Sequence, residues 1–212
     1  MPIKESKCKI CRRENKKLML KGARCLSSKC AFLKRSYPPG LHGPNRRRTK
    51  ATEYSLQLRE KQKAKRIYGI LEGQFKKYYE KALQLKGDIG ENLVNFLEMR
   101  LDNVIYRSGI AKSRRQARQI VGHGHFIVNK FKTNIPSFQV KTDDIIKLKD
   151  SKKEKLFFKE AINELKNTKN SEIPSWISLD KEKMEIKVLS KPNLKDMEYG
   201  FNTKMIIEFY SR

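Results

Sequence analysis

From Leu97 to Val128 the apolar residues fall into two helical stripes and one strand, with almost no slack between them, and this spacing admits few folds. Leu97, Leu101, Val104 and Ile105 lie at i, i+4, i+7 and i+8, on one face of a helix that Gly109 can stop. Ser113 stands where its side-chain oxygen can accept from a free backbone N–H, and Ala117, Ile120 and Val121 form the buried stripe of a second helix. Gly122-His123-Gly124-His125 supplies the backbone freedom for a tight turn, and Phe126-Ile127-Val128 reads as the strand that follows.

This register leaves Arg114, Arg115 and Arg118 facing outward, next to the turn that carries His123 and His125. Guanidinium forks match phosphate oxygens in pairs and stack on bases, and a rigid helix presents them with little entropy left to lose. A solvated basic face is the competing interpretation. The formal net charge of +26, from 49 Lys plus Arg against 23 Asp plus Glu, favours contact with a polyanion such as RNA. About half of that excess lies in the N-terminal quarter. A membrane surface is disfavoured, because no amphipathic helix with an aromatic anchor accompanies the densest charge and no apolar run approaches ~18 residues. There is no Walker loop, no Gly-x-Gly-x-x-Gly and no nucleophile elbow, so neither catalysis nor a small-molecule substrate is expected.

All four cysteines fall near the start, as Cys8-x2-Cys11-x13-Cys25-x4-Cys30. The leading residues read neither as a signal peptide nor as a transit peptide, so the chain is expected to stay where it is made, and clustered thiols there point to metal before disulfide. Two thiolate pairs on short loops can close a tetrahedron around one structural Zn²⁺, leaving no open position for water. An iron–sulfur cluster is the chemical alternative.

Three prolines and two glycines between Arg35 and Arg48 forbid regular structure, which predicts an extended arm ending in Arg46, Arg47 and Arg48. Thr52 is a candidate cap for a basic helix that Gly69 ends, and a second helix from about Glu72 to Lys86 aligns Phe75, Tyr78, Tyr79, Ala82 and Leu85 as core. Farther on, Ser137–Val140, Ile145–Leu148, Trp176–Leu179, Met184–Val188 and Met205–Tyr210 read as strands, and Glu154–Leu165 as a helix. The fold class is α+β.

The Arg100–Asn129 stretch closely resembles the RNA-binding module of the fourth small-subunit ribosomal protein family, a module shared with some RNA-modifying enzymes and some aminoacyl-tRNA synthetases. The cysteine segment, the Tyr37–Gly43 run, the basic Leu58–Arg66 run and the terminal Ile207–Arg212 also resemble bacterial members, so the resemblance spans essentially the whole chain. Arg100-Leu101-Asp102 matches part of the Gly-Arg-Leu-Asp signature of pseudouridine synthases. Met99 replaces its glycine, however, the helical stripe puts Asp102 mid-helix, and the ~50 residues after the module are too few for a catalytic domain. Two turns depart from the family: Asn129-Lys130 stands where Asn-Gly is usual, which predicts a strained or longer turn, and Lys141-Thr-Asp-Asp144 lacks the usual Pro-Gly.

The resemblance implies a structural, cytoplasmic component of the small ribosomal subunit. It would bind the 5′ domain of the subunit's RNA early, nucleate assembly, and sit near the messenger entry channel beside the fifth small-subunit protein, where it contributes to translational accuracy. The expected organisation is a four-cysteine knuckle and arm over 1–45, a basic helical domain over 46–95 onto which about 185–212 packs back, and the RNA-binding module over 96–184 with its core at 98–160. The expected RNA contacts are Arg12, Arg13, Arg46, Arg47, Arg48, Arg59, Lys61, Lys63, Arg66, Lys112, Ser113, Arg114, Arg115, Arg118, His123 and His125, with Cys8, Cys11, Cys25 and Cys30 on the metal.

Overall fold

The computed structural model describes residues 6–44, 51–167, 173–193 and 200–212, which leaves Arg46, Arg47 and Arg48 outside the described residues. The chain forms two compact units, Met1–Gly90 with Tyr199–Arg212, and Glu91–Glu198.

In the first unit the cysteine segment folds as three short helices, α1 (Lys7–Arg13), α2 (Ala23–Leu26) and α3 (Ala31–Lys34). Ile10, Cys11, Leu18, Cys25 and Cys30 turn inward and are buried. A long helix α4 (Glu53–Tyr68) follows; Thr52 caps it by accepting from the Ser55 N–H, and Gly69 ends it in the left-handed region at φ 64°. Helix α5 (Glu72–Gln84) buries Phe75, Tyr78, Tyr79 and Ala82, as their spacing implies, whereas Leu85 lies just past its end and stays exposed.

Helix α6 (Ile89–Glu98) leads into the second unit, where α7 (Leu101–Arg107) and α8 (Arg114–Gly122) pack against each other. The chain continues as β1 (Phe126–Val128), β2 (Phe131–Thr133), β3 (Ile145–Leu148), α9 (Asp150–Lys153), α10 (Leu156–Asn167), β4 (Ile177–Asp180) and β5 (Glu185–Val188). The strands form one antiparallel sheet in the order β2-β1-β3-β5-β4. Its core joins Leu101, Val104 and Ile105 of α7 and Ala117 and Val121 of α8 to Phe126, Ile146, Phe158, Trp176 and Ile186, all essentially without exposure. Ser137–Val140 contributes only an isolated bridge, Arg100 to Gln139, instead of the expected strand.

The β1–β2 turn is a two-residue connection in which Val128 faces Phe131. Asn129 takes the positive φ, 55°, and Lys130 does not, so the expected strain falls on a residue that tolerates it. Both ends of the Asn129 side-chain amide are engaged: its Nδ2 donates to Asp144 Oδ1 and its Oδ1 accepts from the Ile145 N–H, both at 2.9 Å.

Met205–Tyr210 is a correction. It forms helix α11 (Thr203–Tyr210), not a strand; Asn202 caps it by accepting from the Lys204 and Met205 N–H groups, and it packs on α4 within the first unit. Six mostly apolar residues satisfy either period, and the aromatic shelf awaiting Tyr210 decides. That ring stacks on Tyr79 at 4.6 Å and lies 6.2 Å from Phe75.

Candidate nucleic-acid interface

In the second unit α7 and α8 are joined by a polar network around Glu98, whose side chain is wholly buried. Arg107 meets both carboxylate oxygens, at 2.9 and 2.8 Å, and Asn103 Nδ2 donates to Oε2 at 2.6 Å. Asn103 Oδ1 in turn accepts from Arg114 Nε at 2.7 Å, and the Arg114 guanidinium covers the Tyr106 ring at 4.5 Å. Arg114, expected to face outward, is therefore half-buried and directed into the fold, because a desolvated carboxylate beneath it requires compensation. Arg115 is exposed and Arg118 half-buried.

Ser113 acts as the helix cap, accepting from the Gln116 N–H, while Gln116 Oε1 accepts from the Lys112 N–H at 2.8 Å. The Lys112 ammonium pairs with Glu164 at 2.6 Å on the surface. Asp102, the residue that mimics a catalytic aspartate, is buried and held by Arg100, whose Nε and Nη2 donate to its two oxygens at 3.0 and 2.9 Å. Both oxygens of this buried carboxylate are engaged by one guanidinium, which gives Asp102 a structural part in the fold.

The Gly122–His125 turn opens onto a group of lysines that the sequence reading did not single out. His123 is exposed and His125 is buried beneath it, its ring 5.6 Å from Phe158. Lys149 Nζ donates to the Gly124 carbonyl at 2.5 Å, and Lys132 stands close enough that burial and its charge push the Lys149 ammonium down. Burial first, then Lys155, His123, Lys152 and Lys149, hold the His125 imidazole below its ordinary value. Lys132, Lys149, Lys152 and Lys155 thus surround the turn with positive charge. The run Lys149-Asp-Ser-Lys-Lys-Glu-Lys155 was the available signal.

In the first unit most expected contacts are engaged internally. Arg12 covers Tyr37 at 4.7 Å and donates to the Tyr37 and Pro38 carbonyls at 2.9 and 3.3 Å, pinning the Pro/Gly arm. Arg59 and Arg66 both donate to Oε1 of Glu14, at 3.3 and 2.8 Å, and the Glu14 side chain has no exposure. Lys61 is buried against Glu72 and the α11 aromatics, and Lys63 pairs with Glu60. Arg13 is exposed.

Cys8 and Cys11 lie one turn apart on α1, Cys25 sits in α2, and Cys30 precedes α3. Burial pushes the Cys11 thiol up, the Leu18 backbone amide opposes it, and the neighbouring Cys25, Cys8 and Cys30 push it further up, so the four thiols share one environment. The Lys21 N–H donates to Cys25 Sγ at 3.3 Å. Among the described residues no group of three or more His, Cys, Asp or Glu side chains is arranged to hold a metal ion. The donor chemistry fits zinc all the same, since backbone amides aimed at sulfur stabilise thiolates.

Mixed helix and antiparallel sheet, exposed cations and an aspartate locked by an arginine define a nucleic-acid-binding protein with no catalytic role for that aspartate. The model of the Ribosomal protein S4/S9 N-terminal domain matches residues 2–98, and that of the S4 domain matches residues 99–146. The chain belongs to the uS4 family of small ribosomal subunit proteins, whose members are structural and not enzymes. It is 52% identical over 205 residues to the small ribosomal subunit protein uS4 of Halothermothrix orenii, covering 97% of this chain and 96% of the relative. The corresponding proteins of Thermodesulfovibrio yellowstonii and Clostridium beijerinckii are 50% and 48% identical, each covering 96% or more of both chains.

Proposed function

We propose that this chain is a structural component of the small ribosomal subunit that binds the 5′ domain of its RNA early and nucleates assembly there. The observation that carries this is its full-length relationship to proteins named as small ribosomal subunit protein uS4. Family membership places it in the cytoplasmic ribosome, in agreement with a net charge of +26. Arg13, Arg115, Lys132 and Lys155 supply exposed cations, Lys149 and Lys152 stand half-buried beside Gly124, and Arg46, Arg47 and Arg48 add charge in the arm. A structured RNA junction offers clustered phosphates and few readable base edges, so shape and phosphate contacts provide most of the affinity. On the same reading the chain lies near the messenger entry channel against the fifth small-subunit protein and contributes to decoding accuracy. Cys8, Cys11, Cys25 and Cys30 hold one structural Zn²⁺, with an iron–sulfur cluster as the alternative.

The test is binding to a transcript of the 5′ domain beside a length-matched unrelated structured RNA, across a salt series. A preference that persists at high salt supports the proposal. Equal affinities that collapse together would reduce the interaction to charge alone.

A further inference from the structure

We propose that a basic cavity in the first unit seats one phosphate-bearing nucleotide. The cavity has a volume of about 530 Å³, within the usual ~300–1,000 Å³ of small-ligand sites and far larger than one phosphate. Lys9, Arg13, Arg59 and Arg66 line it, together with Ser6. Among the described residues that line it there are four cationic side chains and no carboxylate.

Two of the cations are pre-oriented and two are available. Glu14 fixes Arg59 and Arg66 from beneath, at 3.3 and 2.8 Å, so their side chains are ordered before any ligand arrives. Lys9 and Arg13 stand four residues apart on α1, both exposed, and neither forms an ion pair among the described residues. Ile10 and Pro39 give the cavity an apolar wall, and the segment bearing Pro39 is pinned by the Arg12 bonds to Tyr37 and Pro38. Cations beside an apolar wall match a phosphate joined to a sugar and base. Inorganic phosphate would leave the wall and most of the volume unused.

The nucleotide has two sources, a residue splayed out of bound RNA or a free mononucleotide; only the first rests on the function proposed above. The full chain is titrated by calorimetry with adenosine 5′-monophosphate and, separately, with inorganic phosphate. The same titrations are run on a Lys9→Gln/Arg13→Gln variant and on a charge-matched Lys76→Gln/Lys77→Gln variant of the exposed α5 surface. Saturable one-to-one binding of the monophosphate is expected, weakened about tenfold by the first pair and less than about twofold by the second. An Arg13→Lys variant, which keeps the charge, is expected to retain most of the binding. No saturable binding, equal losses in both pairs, or inorganic phosphate binding as tightly as the nucleotide would overturn the proposal.

Competition separates the sources. If the monophosphate weakens binding of the 5′-domain transcript, the cavity holds a nucleotide of the RNA; if both bind together, it holds a free one. A chain that shows no preference for the transcript over unrelated RNA would refute the ribosomal reading, while the calorimetry would still decide the cavity.

Discussion

Arg114 Nε donates to Asn103 Oδ1 at 2.7 Å, so the first residue of α8 is tied to the middle of α7. Asn103 is held in turn by Glu98, and Glu98 by Arg107. One of the three arginines read as facing outward is thereby part of the scaffold that presents its neighbour. Arg115, one residue later, is exposed and forms no ion pair among the described residues.

The two arginines should therefore separate in experiment. Arg114→Ala leaves Asn103 and the buried Glu98 short of a partner and should lower unfolding stability by about 1–3 kcal/mol in urea titrations. Arg115→Ala should leave stability within about 0.5 kcal/mol, reduce RNA affinity, and lower the log–log salt slope by about 0.7–1. An unchanged slope in Arg115→Ala would remove that residue from the interface.

Lys61 and Glu72 make a second case of a cation used within the fold. Lys61 Nζ meets Glu72 Oε1 at 2.7 Å and lies 4.3 Å above the Phe209 ring, while the Tyr210 hydroxyl donates to the same oxygen at 2.8 Å. Burial pushes the Glu72 carboxyl up, but the bonds from Lys61, Tyr210 and Lys65 outweigh it and hold it at about 2. A depressed carboxyl stabilises the fold fully above its ordinary value of 4.5, and that stability is lost as pH falls toward 2. Thermal melts from pH 6 to 2 should show α11 released over this window, read by protease cleavage near Tyr210. Glu72→Gln should already be weakened at pH 6 and flatter below it. Matching acid profiles for the two proteins would refute this role for Glu72.

Helix α8, its cap at Ser113, the turn and the strand after it were legible because each rests on local spacing. The first stripe was not one helix, since Leu97 lies in α6 and Leu101, Val104 and Ile105 in α7, whose first turn holds Asp102. What was not legible depends on partners distant in sequence. Nothing near Lys61 announces the α11 rings, and nothing near Arg59 and Arg66 announces Glu14, 45 and 52 residues away. A basic residue facing solvent and one facing a buried carboxylate look alike in sequence. Asn129 shows the same limit in a turn, since Asp144, which receives its amide, lies fifteen residues on.

The thiol cluster leads to a metal measurement. Purified protein should carry one zinc per chain by mass spectrometry, and Cys25→Ser should lose it. Chelation should raise protease cleavage between residues 6 and 44 without moving the unfolding transition of the second unit, because the four thiols all lie in the first. Protein free of both zinc and iron would reject the metal.

His125 offers a probe that reports fold and ligand together. Its imidazole is buried, with Nδ1 lacking a hydrogen-bond partner, and burial with the charges of Lys155, His123, Lys152 and Lys149 keeps it below 6.5. The folded chain therefore favours the neutral ring, while the unfolded chain takes up a proton as pH drops past 6.5. The stability from the neutral ring is complete above that value and is lost as pH falls through the lower folded value. Phosphates docked on the surrounding lysines would cancel part of the repulsion and move the ring back up. Proton NMR titration should give a His125 midpoint below 6.5 in the free protein and a higher one with the 5′-domain transcript bound; His125→Phe should flatten the dependence of stability on pH between 7 and 5. A free midpoint at or above 6.5 would contradict the buried, lysine-ringed imidazole, and a midpoint unmoved by RNA would place the phosphates away from this turn.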